Sequence, residues 1–148
     1  MAKAELFQKP LSGWFLRQLG AFPVRRDTTD IQAVKTAMQV LRAEDNLMIF
    51  PEGTTIHDGI GYYDGLPAHA HPGAVMIGVR TGAALIPVFT GQEKKLFKKT
   101  RIIFGPPYQP VFSGRRGTSE EMQQCADEML RMTYALGGQE VGGKPLCR

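Results

Sequence analysis

Residues 47–59 read LMIFPEGTTIHDG. An apolar run ends at Pro51, and the chain then sets Glu52, Gly53, Thr54, Thr55, His57 and Asp58 close together. Proline stops a strand ladder because it has no N–H to give. Glycine lets the backbone turn where other residues resist, and lets a ligand come close to the main chain. Glu52 is an acceptor at that point. The neighbouring amides and the Thr54 hydroxyl can hydrogen-bond a hydroxyl group or a phosphate oxygen. Taken alone, a P-E-G step also suits a plain strand-to-loop turn with a solvated glutamate. His57 and Asp58 have the residue types of a general base and its orienting carboxylate. Adjacent side chains point different ways, so this pair reads as polar loop. His69 and His71 stand two apart, a metal-gripping spacing on a strand, but no third ligand accompanies them and no metal site is expected.

Chemistry at this loop needs a strand ending at Phe50, since open α/β sheets place their sites at strand ends. Upstream, Leu6, Phe7, Leu11, Trp14, Phe15 and Leu19 recur at helical spacing, with Pro10 opening a second helix and Gly20 ending it. Residues 21–25 read as a short strand, placed at an edge or end by Pro23. Residues 27–30 offer helix caps. Ile31, Val34, Met38 and Leu41 lie on one face of a helix over 31–43. Beyond the loop, a helix is predicted from Pro72 to about Arg80 with Gly82 as its stop, then strands at 84–89 and 101–104. A last helix follows the capping arrangement of Thr118 and Glu121. The alternation predicts an α/β fold, a mostly parallel or mixed sheet flanked by helices. Residues 1–136 are expected to form one domain and 137–148 a flexible tail.

The chain has 148 residues, 43% apolar and 22% charged, which fits a folded domain rather than a disordered one. No stretch approaches the roughly 20 apolar residues of a spanning helix, and no secretory core stands at the N-terminus. Cys125 and Cys147 lack metal-ligand spacing and fit a reducing compartment. The reading is therefore cytoplasmic. The net charge of +4 is clustered at Arg25-Arg26, at Lys94, Lys95, Lys98, Lys99 and Arg101, and at Arg115-Arg116. Each cluster alone suits a solvated surface; together they point to an anionic partner. Aromatic residues among the clusters are too few to stack bases, so no nucleic acid is expected.

Four ordered motifs add to this. Phe50-Pro51-Glu52-Gly53-Thr54 matches F-P-E-G-T, and Gly20 to Arg26 matches G-x-x-x-V-x-R. Pro72-Gly73 opens an apolar helix as P-G-x-x-x does, and Ile86-Pro87-Val88 matches V-P-V. With these motifs the chain resembles the glycerolipid acyltransferases, which make phosphatidic acid from 1-acylglycerol-3-phosphate. The resemblance implies that Arg26 grips the acceptor's phosphate, since a guanidinium forks onto phosphate oxygens. It implies that Glu52, Gly53 and Thr54 line the acceptor, and that the V-P-V strand binds the acyl donor or shapes the core beneath the site. No cofactor is implied; the co-substrate is acyl-CoA or acyl-carrier protein. Lys94, Lys95, Lys98 and Lys99 around Leu96-Phe97 then suit anionic lipid headgroups, or a solvated loop. The expected location is peripheral, on the cytoplasmic face of a membrane.

Two departures qualify the resemblance. Thr55 replaces the arginine that follows F-P-E-G-T in the family. The family's H-x-x-x-x-D motif, whose histidine takes the acceptor's proton and whose aspartate orients it, has no match. Five residues after His57, His69 and His71 stand Tyr62, Ala74 and Met76. The expectation is a chain that begins after that motif. The alternative is a non-catalytic lipid- or phosphate-binding module of the same fold.

Overall fold

The computed structural model of this chain describes residues 1–25, 30–53, 62–63, 66–67, 69–90, 100–114 and 117–139. The chain divides into two compact units, Met1–Phe50 and Pro51–Arg148.

In the first unit, β1 (Ala2–Lys3) pairs in parallel with β2 (Pro23–Val24). A 3₁₀ turn (Ala4–Phe7) and helix α1 (Pro10–Gln18) connect them. Pro10 occupies the first helical turn, where its missing N–H leaves nothing unpaired. Gly13 lets α1 lie directly on the 3₁₀ turn, because a Cβ there would stand 2.8 Å from the Phe7 carbonyl oxygen. The Ser12 hydroxyl donates to the Leu6 carbonyl at 2.9 Å across the same junction. Asp30 caps helix α2 (Ile31–Arg42). Its carboxylate accepts from the Ala33 amide and from the Arg25 amide, both at 3.0 Å, tying the helix to the end of β2. The Arg25 and Ala33 amide bonds lower its pKa.

Two expectations change in this unit. The most buried residues of α2 are Ala33 and Ala37, whereas Ile31 is exposed. The small residues admit the closest approach, and the larger ones on the expected face sit at its margin. The expected strand at residues 47–50 joins no ladder among the described residues. Burial alternates there as in a strand, with Met48 and Phe50 outward, while the Met48 carbonyl accepts from the Met1 amino group. A strand needs a neighbour for its backbone groups as well as the right side chains.

In the second unit, β3 (Tyr62–Tyr63) and β4 (Leu66–Pro67) form an antiparallel pair. Helix α3 (Gly73–Thr81) follows and ends at Gly82, whose φ of 71° is the left-handed stop expected. β5 (Val88–Thr90) and β6 (Ile102–Phe104) pair antiparallel, Phe89 opposite Ile103. The expected strand at 84–89 is shorter because Pro87 can donate nothing to the ladder. Its carbonyl still accepts from Gly105, and the Leu85 carbonyl from Tyr108, so the two segments run on together. Helix α4 (Ser119–Leu136) starts in a complete capping box: the Thr118 hydroxyl accepts from the Glu121 amide, and Glu121 accepts from the Thr118 amide at 2.7 Å. Glu121 also accepts from the Ser113 hydroxyl at 2.6 Å and the Ser113 amide at 2.8 Å.

The core of this unit joins Ala70 and Val75 to Cys125, Ala126, Leu130 and Tyr134 on α4. The fold class is thus α/β in the mixed form: one parallel and two antiparallel pairs among the described residues, with four helices. Residues 140–148 of the expected tail lie outside the described residues.

Candidate functional site

The P-E-G turn opens the second unit. Gly53 adopts φ 65°, a left-handed conformation that side chains resist. The ring of His71 lies across it: a Cβ on Gly53 would stand 2.5 Å from His71 Cδ2 and 2.7 Å from Nε2. The His71 amide donates to the Pro51 carbonyl at 2.7 Å. Glycine is therefore required twice, by backbone angle and by contact, and the turn is clasped by the segment before α3.

That segment is in turn held by α4. The Ala70 amide donates to the Asp127 carboxylate at 3.2 Å, and the Ala70 carbonyl accepts from the Gln123 side-chain amide at 2.8 Å. Gln123 also donates to Asp127 at 3.2 Å, which orients both groups. His69 Nδ1 lies 3.8 Å from the same carboxylate. The two histidines weighed as a metal pair thus serve different neighbours, His69 beside Asp127 and His71 over Gly53.

Glu52 is fixed from the far end of α4. The Tyr134 hydroxyl donates to Glu52 Oε1 at 2.5 Å. Tyr134 is 6% exposed and belongs to the core, so its hydroxyl has a firm seat. A carboxylate has about four lone-pair positions. The phenol takes one, and the group keeps capacity to accept from a substrate hydroxyl. The arrangement is a pinned carboxylate beside a glycine turn whose backbone a ligand can approach.

Of the acceptor-binding residues expected, Glu52 and Gly53 stand together on this turn. Arg26 and Thr54 lie outside the described residues, as do His57, Asp58, Lys94, Lys95, Lys98 and Lys99. Sequence reasoning missed Gln123, Asp127 and Tyr134. Their signal was modest: three polar side chains at i, i+4 and i+11 of one helix, next to the apolar stripe of Ala126 and Leu130.

Comparison with known proteins agrees with the motif order. The family model described as Acyltransferase matches residues 1–91. The chain is 35% identical over 112 residues to a Bacillus subtilis protein named 1-acyl-sn-glycerol-3-phosphate acyltransferase, covering 72% of this chain and 52% of that one. A Streptococcus pneumoniae protein of the same name is 42% identical over 55 residues, 36% of this chain and 21% of its own length. A Pseudomonas aeruginosa protein named lyso-ornithine lipid O-acyltransferase is 38% identical over 56 residues, 37% and 22% of the two chains. The chain spans about half the length of the Bacillus subtilis relative. No solved structure matches it.

Proposed function

The chain belongs to the acyltransferase family, and on that premise we propose that it serves the transfer of a fatty acyl group to 1-acylglycerol-3-phosphate, giving phosphatidic acid. The donor is acyl-CoA or acyl-carrier protein. The acceptor's hydroxyl oxygen forms the new ester bond, the C–S bond of the thioester breaks, and the hydroxyl proton passes to a general base and on to the thiol. This reading assigns the base to no residue of the sequence given, which holds no H-x-x-x-x-D. It assigns the chain the acceptor side. Glu52 receives a hydrogen bond from the glycerol, Gly53 and Thr54 face the phosphate, and Arg26 neutralises it. The observation that carries the reading is the pinned carboxylate on the F-P-E-G turn. Residues 1–136 act as the acyltransferase domain, at the cytoplasmic face of a membrane, with Lys94, Lys95, Lys98 and Lys99 toward anionic headgroups.

The absent H-x-x-x-x-D favours a second reading, a module of the same family that binds lysophospholipid without turnover. The lyso-ornithine lipid relative favours attention to the acceptor. One experiment addresses both. Isothermal titration of the chain with 1-acylglycerol-3-phosphate and with lyso-ornithine lipid should favour the phosphate, and Arg26→Ala should weaken it by about tenfold or more, as losing a charge-assisted bond implies. Phosphatidic acid formed from labelled oleoyl-CoA separates enzyme from module. Failure to bind either acceptor, with no product, overturns both readings.

A further inference from the structure

His71 brackets Glu52. Its amide donates to the Pro51 carbonyl at 2.7 Å, and its ring lies against Gly53, on the other side of the same residue. The ring fills the space that a side chain at position 53 would take, with Cδ2 2.5 Å and Nε2 2.7 Å from the place of a Cβ. A ligand that comes to this side of the turn meets an imidazole before it meets main chain.

The ring is held in place, yet its nitrogens are unused. Pro72 disfavours helical angles at the residue before it. Ala70 is fixed at its amide by Asp127 and at its carbonyl by Gln123. His71 is nevertheless exposed, and its ring nitrogens have no hydrogen-bond partner among the described residues. His69 differs, because its Nδ1 stands 3.8 Å from the Asp127 carboxylate. Lying against Gly53 needs only a flat ring; the nitrogens of His71 stay open to whatever binds the turn.

Charge decides which group of a ligand they take. Residues 51–53 and 69–72 carry one carboxylate, Glu52, and two imidazoles. Helix α4 brings Asp127 beside His69 and the Tyr134 hydroxyl onto Glu52. In 1-acylglycerol-3-phosphate the free hydroxyl and the phosphate stand on adjacent carbons. A hydroxyl resting on Glu52 therefore sets the phosphate beside position 53, where its charge adds to that of the carboxylate. An imidazole offsets this. Neutral, it presents one N–H; protonated, it presents two and a positive charge. Hydrogen bonds to a phosphate oxygen are charge-assisted and strong.

On the acceptor reading proposed above, we infer that His71 is a contact residue of the acceptor site, its imidazole donating to the phosphate of a lysolipid whose hydroxyl rests on Glu52. Phosphate recognition then includes a residue outside the F-P-E-G-T and G-x-x-x-V-x-R motifs.

The full chain is titrated with a short-chain 1-acylglycerol-3-phosphate and with the 1-acylglycerol of the same chain length, both as monomers. His71→Phe keeps a flat ring for Gly53 and the amide for Pro51, and removes both nitrogens. It should weaken binding of the phosphate lipid by about tenfold or more, the loss of one hydrogen bond to a charged group, and leave the phosphate-free lipid unaffected. Proton–carbon spectra of the wild-type chain give a second reading. Of the ring signals of its three histidines, those missing from His71→Phe should shift with the phosphate lipid and not with the other. Equal affinity of wild type and His71→Phe for the phosphate lipid overturns the inference. So do His71 ring signals that stay in place as that lipid saturates the chain. An equal loss for both lipids also overturns it, and makes His71 a support of the turn alone. In each of these outcomes the wild type binds and the acceptor reading stands; a wild type that binds neither lipid overturns that reading, and this inference with it.

Discussion

Replacing Tyr134 by phenylalanine isolates one atom of the site. The ring stays in its core position, 6% exposed, and the hydroxyl that donates to Glu52 at 2.5 Å is lost. A hydrogen bond to a charged group contributes about 1.5–3 kcal/mol net. Glu52 is only partly buried, so water can replace the phenol and the lower figure applies. The expected loss of unfolding free energy is therefore about 1.5 kcal/mol, against about 3–5 kcal/mol for a large buried aromatic cut to alanine, where the cavity dominates. The effect on ligand should be separate. An unpinned Glu52 samples other rotamers, so acceptor affinity should fall by up to about tenfold, the same energy expressed as binding. Urea denaturation reads the first quantity and titration with 1-acylglycerol-3-phosphate the second. The double mutant with Glu52→Ala supplies the control. The Tyr134→Phe and Glu52→Ala costs should be strongly non-additive, because each removes the same bond. Additive costs, or a Tyr134→Phe variant of unchanged acceptor affinity and reduced stability, would refute the positioning role and leave Tyr134 as packing alone.

Other consequences follow from the geometry. Gly53→Ala should lower the unfolding free energy, read from thermal denaturation, by about 1–2 kcal/mol from φ 65° alone and more from the clash with the His71 ring; His71→Ala beside it should recover only the second part. Glu121 is drawn down to about 2 by the Ser113 hydroxyl first, then by the Ser113 and Thr118 amides. A depressed carboxyl contributes its stability in full above its ordinary value near 4.5 and loses it as pH falls from there toward about 2. An acid titration followed by circular dichroism should show that limb, and Glu121→Gln should flatten it. Glu44 closes α2 with φ 61°, an angle that costs a side chain about 1–2 kcal/mol. Glu44→Gly should raise the unfolding free energy, read from urea denaturation, by roughly half of that, since glycine loses more entropy on folding.

What was readable in the sequence was local. The capping box of Thr118 and Glu121 spans three positions, and the Gly82 stop and the Asp30 cap are set by their immediate neighbours. The period of the apolar residues in α1 was equally plain. Which way that face turns was not, because a period gives a stripe and not its direction; Gly13 decides it by pressing the opposite side onto Phe7. In α2 the amphipathic pattern found the helix and placed its centre one position off, on Val34 and Met38 rather than on Ala33 and Ala37. Residues 47–50 have a strand's composition, yet pairing depends on distant chain. The bond of Tyr134 to Glu52 joins positions 82 apart and leaves no local trace, so half of the turn's support was invisible before the fold was known.

The support that α4 gives the P-E-G turn has a further meaning for how the molecule divides. The stretch that matches the family ends at residue 91, while the side chains that hold Ala70 and Glu52 come from Gln123, Asp127 and Tyr134. The end of the family match is not a boundary of cooperativity. A chain cut after residue 91 would keep the four ordered motifs, yet strip the Ala70 amide and carbonyl of their partners and open Val75 to water. The motifs are readable within residues 1–91, but the last helix holds them in the shape a ligand would meet.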